Sequence, residues 1–188
     1  MASLPDTPLT EEQYLRLERA AEFKSEYHAG EMFAMSGGST LYSWLAANLI
    51  MRLGPQLPKG CRIFTSDLRI KIPQARVYTY PDASIICGKP ETFEDDNALN
   101  PLMIVEVLSS TTEAYDRGKK FELYRQIPSF KEYLLIHQDR PHVEHYSKQD
   151  AGGWLLKEYS GEESFEIARL SATVSLTSLY EDAFTSGG

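Results

Sequence analysis

Apolar and polar positions along this chain follow two different periods. Thr10-Glu11-Glu12-Gln13 has the form of a capping box, in which the first and fourth side chains each satisfy the other's free amide, and it predicts a short helix through about Arg19. Residues 25–28 and 31–35 predict two short strands around the tight turn Ala29-Gly30. After Gly37-Gly38-Ser39, the residues Leu41, Leu45, Leu49 and Leu53 recur every fourth position. That spacing predicts a helix over 40–53 with one buried stripe, ended by Gly54-Pro55. From Cys61 the texture changes: 61–72, 80–87 and 102–108 are rich in β-branched and aromatic residues and predict strands. Met103-Ile104-Val105-Glu106-Val107-Leu108 is so nearly apolar throughout that both faces of its strand should be covered. A helix over 116–126, stopped by Pro128, and a strand over 132–137 follow. Polar stretches carrying aromatic residues at 143–147, 154–159, 165–170 and 174–179 read as added antiparallel ribbon. The order predicts a mixed α/β (α+β) fold: a central mixed sheet flanked by helices, an N-terminal hairpin and C-terminal antiparallel strands. With no internal repeat and no low-complexity linker, residues 1–188 are expected to form one domain.

Glu106 breaks that pattern. A carboxylate in an otherwise apolar strand costs several kcal/mol unless it is paired, protonated or bound to a metal. Lys120 is its expected partner, because Leu123, Tyr124 and Ile127 lie three, four and seven residues further on and mark the sheet-facing side of the helix. Lys119 points toward Glu122 and Gln126, the wetter side. Asp82 follows Pro81 at the head of the strand upstream. Asp82, Glu106 and Lys120 at one sheet edge suit phosphodiester hydrolysis. Paired carboxylates are hard ligands for Mg²⁺ or Mn²⁺, and an ammonium can stabilise charge developing on a phosphate. The same three residues also suit a structural ion-pair cluster, and geometry decides between the two.

Composition changes the picture in two places. A net charge of −8 argues against a general nucleic-acid coat protein but leaves room for a nuclease with an acidic metal site. Two cysteines, Cys61 and Cys87, suit a reducing compartment better than a disulfide scaffold. With no apolar run long enough to span a bilayer and no signal-like N-terminus, a cytoplasmic protein without membrane contact is expected. His137, His142 and His145 lie on strand-like segments without an acidic motif and read as surface or core residues, not zinc ligands. Gly37-Gly38-Ser39 lacks the Lys-Ser/Thr of a phosphate-binding loop, so no nucleotide cofactor is expected.

Seven blocks, in order, resemble one known family: residues 25–31 (SEYHAGE), 33–38 (FAMSGG), 66–69 (SDLR), 80–82 (YPD), 104–109 (IVEVLS), 115–120 (YDRGKK) and 131–133 (KEY). They are similar to the Uma2 family, long catalogued as a domain of unknown function and assigned restriction-endonuclease character. The resemblance runs from about Thr10 to Leu179 and implies the fold of the PD-(D/E)XK nuclease superfamily, with a metal-dependent DNA endonuclease activity. It makes Asp82, Glu106 and Lys120 the catalytic set and Asp82 and Glu106 the ligands of Mg²⁺ or Mn²⁺. Two departures stand out. The superfamily lysine two residues after the glutamate is Leu108 here, and Lys120 supplies it from the next helix. Many relatives carry a histidine where this chain has Tyr42, which can hydrogen-bond a phosphate but is no neutral-pH base.

Further acidic positions are open to two readings. Glu26 and Glu31 flank the early hairpin, as additional ligands or as solvated charges. If the turn after residue 72 centres between Gln74 and Ala75, Asp67 falls opposite Asp82 and joins the site's outer edge; otherwise it is a strand-edge residue paired with Arg69. Arg62, Arg69, Lys71, Arg117 and Arg125 are the expected phosphate contacts, giving weak DNA binding that falls steeply with salt. The alternative to an endonuclease is a catalytically silent nuclease-fold module for binding or assembly. A homodimer is the expected assembly.

Overall fold

A computed structural model describes residues 8–184. The chain begins with helix α1 (Glu11–Ala20), the hairpin β1 (Ser25–His28) and β2 (Glu31–Ala34), and helix α2 (Thr40–Leu53). Strands β3 (Cys61–Thr65), β4 (Arg69–Ile72), β5 (Val77–Thr79) and β6 (Ala83–Cys87) follow, then β7 (Thr92–Phe93), β8 (Asn97–Ala98) and β9 (Met103–Leu108). The helical segment spanning 113–124 is built from α3 (Glu113–Tyr115), a π-helical turn (Asp116–Lys120) and α4 (Phe121–Tyr124). Strands β10 (Glu132–His137), β11 (His142–Lys148) and β12 (Trp154–Ser160), the hairpin β13 (Ser164–Ile167) and β14 (Ala172–Ser175), and the short α5 (Leu176–Leu179) complete it.

Local chemistry fixes the first elements. Thr10 Oγ1 accepts from the Gln13 amide at 3.1 Å while Gln13 Oε1 accepts from the Thr10 amide at 2.8 Å, so the capping box is complete. Ala29 and Gly30 both hold positive φ, 49° and 118°, as the favoured two-residue hairpin loops require. Any Cβ at Gly30 would lie 2.7 Å from that of Pro8.

The strands form two six-stranded sheets and a separate two-stranded ribbon, β13–β14. The central sheet runs β12-β11-β10-β9-β6-β3, with β9 and β10 parallel across the 113–124 crossover and the other neighbours antiparallel. The second sheet runs β2-β1-β5-β4-β8-β7. Alternation along β9 splits the core between two faces. Met103, Val105 and Val107 join Leu45, Leu49 and Leu53 of α2 and the C-terminal residues Phe165, Ile167 and Val174. Ile104 and Leu108 pack on the other face against Leu123, Tyr124 and Ile127, with Ile70 and Ile72 of the second sheet. Glu106 belongs by alternation to this second face. The central sheet flanked by helices is thus present.

Two expectations are corrected. Residues 61–72 are not one strand: the chain leaves the central sheet after Thr65 and enters the second sheet at Arg69. The turn centred between Gln74 and Ala75 does exist, pairing Ile70 with Thr79 and Ile72 with Val77, but only within the second sheet. When the chain returns, Thr65 stands opposite Ala83 and Cys61 opposite Cys87, one residue out of that register. The second correction follows from the first: the opposed Cys61 and Cys87 are disulfide-bonded, which their low number did not suggest. Among the described residues no helix is long and apolar enough to cross a membrane.

Candidate active site

One cavity of about 680 Å³ opens beside the end of β9. Its walls come from residues 33–39 and from Ser109, Thr111, Thr112 and Tyr115, and the buried Glu106, Asp116 and Lys120 with the largely buried Glu26 form its floor. Five of the seven sequence blocks reach its lining, through Glu26, Phe33, Tyr80, Glu106 and Lys120 among others. The blocks at 66–69 and 131–133 do not.

Lys120 is the hub. Its Nζ lies 2.9 Å from Glu106 Oε1 and 3.6 Å from both Glu26 Oε1 and Asp116 Oδ1. Lys120 is 7% exposed and Glu106 3%. The helix phase read from Leu123, Tyr124 and Ile127 therefore holds, and Lys119 points outward to Glu122 at 3.1 Å. The π-helical turn carries Asp116 and Lys120 together on the sheet-facing side, and such turns recur at functional sites. Tyr124, four residues on, donates to Glu106 Oε1 at 2.8 Å. Glu26 reaches the cluster because β1 pairs with β5. It accepts from the Thr79 hydroxyl and, at 3.1 Å, from the Tyr80 amide. Asp116 and Tyr124 were not among the sequence candidates, although both stand four residues from Lys120.

Asp82 sits just outside β6, one step beyond the pairing of Ala83 with Val105. Its Oδ2 accepts from the Val107 amide at 2.6 Å and its Oδ1 from the Tyr42 hydroxyl. Tyr42 lines the cavity and Asp82 does not, so the tyrosine stands between Asp82 and the open space. Gly38 lets Tyr42 take that position, since a Cβ there would lie 2.3 Å from the ring. The residue that departs from the family pattern is therefore in contact with a candidate ligand.

The electrostatics follow from one ammonium facing several carboxylates. Burial raises the Glu106 carboxyl well above its ordinary value; Lys120 opposes the rise and Asp82 adds to it. Burial likewise raises Asp82, against the pull of Tyr42 and the Val107 amide, and raises Asp116 against the pull of Lys120. Burial would also raise Glu26, but Lys120, His28, Thr79 and the Tyr80 amide together hold it at about 2. Burial pulls Lys120 down, and Glu106 with its neighbours more than reverses this, so the amine stays charged. Surplus negative charge around one ammonium is the environment that a hard divalent cation satisfies, and carboxylate oxygens are the donors it prefers. The donor set fits Mg²⁺ or Mn²⁺.

Other candidates lie elsewhere. Glu31 is exposed on the hairpin. Asp67 is neither opposite Asp82 nor paired with Arg69: it points to solvent and pairs with Lys24. Arg69 instead binds Glu18, Asp96 and Asn97, Lys71 binds Glu11, and Arg117 binds Glu144 and Glu113. Three of the five expected phosphate contacts are thus committed within the fold, leaving Arg62 and Arg125 exposed. His137, His142 and Glu144 bring possible ligand atoms within 4.8 Å of one another. Arg117 already supplies the positive charge there, 2.5 Å from Glu144 and 2.9 Å from His137 Nε2. His145 is buried and bonded to Glu132 at 2.7 Å.

Comparison with known proteins bears on the family and the fold. An uncharacterized Synechocystis protein, slr1290, is 35% identical over 179 residues, covering 95% of this chain and 94% of its own. A second, sll1609, is 39% identical over 158 residues, covering 82% and 89%. The crystal structure of a protein from Anabaena variabilis, titled "a putative nuclease belonging to DUF820", superposes with a TM-score of 0.71 at 18% identity, over 94% of this chain and all of that one. At that identity the likeness establishes the fold. The Uma2 family, described as "Putative restriction endonuclease", matches residues 11–178, so the chain belongs to the Uma2 family.

Proposed function

We propose that this protein is a Mg²⁺- or Mn²⁺-dependent DNA endonuclease, with Glu106, Asp82 and Lys120 as its catalytic set. The observation that carries the reading is the buried Lys120–Glu106 pair, 2.9 Å apart, on the floor of an open cavity with Glu26 and Asp116 beside it. An ion pair kept for stability alone is commonly replaceable by apolar residues, and here it faces a space large enough for a ligand. Glu106 would hold the metal together with Asp82, whose oxygens keep lone pairs beyond those used by Tyr42 and Val107. When bound, the metal supplies Lewis acidity and lowers the pKa of coordinated water. Lys120 is placed to stabilise charge growing on a phosphate oxygen, at low reorganisation cost because its carboxylate partners already orient it. Tyr124 fixes Glu106 by donating to the same oxygen that Lys120 holds. With Arg69, Lys71 and Arg117 paired internally, the salt dependence of DNA binding should be shallower than five free phosphate contacts would give.

The test is cleavage of supercoiled plasmid with and without Mg²⁺ or Mn²⁺. Nicking that needs the metal and disappears in Glu106→Ala is the expected result. An equal rate in the variant, or no cleavage under any metal, sinks the proposal. The contact of Tyr42 with Asp82 favours a second reading, a catalytically silent binding or assembly module acting as a homodimer. Absent cleavage with a dimer in sedimentation would support it.

A further inference from the structure

We infer that the cavity accepts a single unstacked nucleotide, so that the preferred substrate is a single-stranded or locally unpaired segment of DNA. This rests on the nuclease reading and goes beyond it. The reacting groups of the site are sunk: Glu106 and Lys120 are 3% and 7% exposed, below walls formed by residues 33–39 and by Ser109, Thr111, Thr112 and Tyr115. Phosphates of a stacked duplex follow one another along its outer edge, at about 3.4 Å of axial rise per strand. A phosphate on such an edge reaches a sunken floor less readily than one on a nucleotide whose base has left the stack. Unstacking the nucleotide removes that obstacle, as in enzymes that must draw a base out of the duplex.

The cavity's shape and lining suit that guest. Its volume of about 680 Å³ lies within the range of sites that enclose a small ligand, roughly 300–1,000 Å³. Three rings line it: His28 meets Phe33 edge-on at 5.5 Å between centroids and 83°, and meets Tyr115 at 5.9 Å and 62°. Phe33 sits on β2, the edge strand of its sheet, and remains 49% exposed. An aromatic face left open beside a phosphate-chemistry floor is how sequence-tolerant single-strand sites hold a base. Charge points the same way. Lys120 is the one Lys or Arg among the described residues lining the cavity, and Arg69, Lys71 and Arg117 are paired within the fold. Stacking, more than phosphate contacts, must then supply the affinity.

The experiment compares a fluorescein-labelled 30-nucleotide strand with its annealed duplex. Binding is read by anisotropy in Ca²⁺, and cleavage in Mn²⁺. The single strand should bind about tenfold or more tightly, Phe33→Ala should lose about tenfold for the single strand, and Phe33→Trp should restore it. Equal or tighter binding of the duplex, or indifference to Phe33→Ala, overturns the inference even if both substrates are cut. If nothing is cut while the Phe33-dependent preference persists, the nuclease reading falls and the nucleotide pocket stands.

Discussion

Replacing Lys120 with methionine keeps an unbranched apolar stem and removes the ammonium shared by the buried Glu106 and Asp116 and the part-buried Glu26. Glu26 is one group on which that charge acts. Its carboxyl is held at about 2 against an ordinary 4.5, with burial opposing and Lys120 the strongest of the influences that lower it. A carboxyl so depressed stabilises the folded state by ~3 kcal/mol at neutral pH. Lys120 supplies only part of that, but removing one partner of a buried ion pair such as Lys120–Glu106 itself costs roughly 3–5 kcal/mol. In a chain of this size such a loss lowers Tm by about 10 °C. The pH dependence carries the sharper test. Because the folded value for Glu26 is depressed, its contribution is fully present above about pH 4.5 and is lost as the pH falls toward about 2. In Lys120→Met, Glu106 and Asp116, already raised, take up protons more readily still as the solution is acidified. The stability gap between the two proteins should therefore be widest near pH 8 and narrow steadily toward pH 4. Urea unfolding followed by circular dichroism at pH 8, 6 and 4.5 measures it. A gap that is constant across these values, or below ~1 kcal/mol at pH 8, refutes the assignment of Lys120 as the shared counter-charge.

Tyr42→Phe removes the hydroxyl that caps Asp82 and should lower stability by ~1–3 kcal/mol while strengthening Mn²⁺ binding in calorimetry. Unchanged Mn²⁺ affinity would show that Asp82 is not a ligand. Reducing the Cys61–Cys87 bond, which joins residues 26 apart in sequence, should lower the urea midpoint by the equivalent of ~3 kcal/mol, read with and without dithiothreitol. Leu49→Ala opens a cavity between α2 and the central sheet and should cost ~2–5 kcal/mol in the same assay, with little effect on Mn²⁺ affinity.

Much of the site was legible because it violated local patterns. Glu106 is a charge in an apolar strand, and Lys120 is a charge on an apolar helix face; both anomalies resolve against each other. The bounds of α2 follow from a four-residue leucine spacing that nothing nearby contradicts. Glu26 stayed ambiguous because a four-residue strand with a charge looks the same whether it faces solvent or a partner. Its burial depends on pairing with β5, some fifty residues away. Asp116 was missed because hydrophobic period does not reveal a π-helical turn. Asp67 was misplaced for a different reason. Ser66-Asp67 is a turn signal, but only two residues long and set between β-rich flanks, so it reads as a blemish in one strand and not as the step between two sheets. The register chosen for the inner hairpin was correct there and wrong for the outer pair.

That step between sheets has a consequence for how the molecule comes apart. The β4–β5 hairpin of one sheet is enclosed in sequence between β3 and β6 of the other, and the outer pair is tied at its far end by the disulfide. Pulling β4 and β5 out of the second sheet therefore drags on the inner ends of β3 and β6, while parting β3 from β6 removes the posts between which the hairpin is hung. Neither sheet is then expected to behave as an independent foldon: the strands around the candidate site, supplied by both, should be lost in one cooperative event in hydrogen exchange.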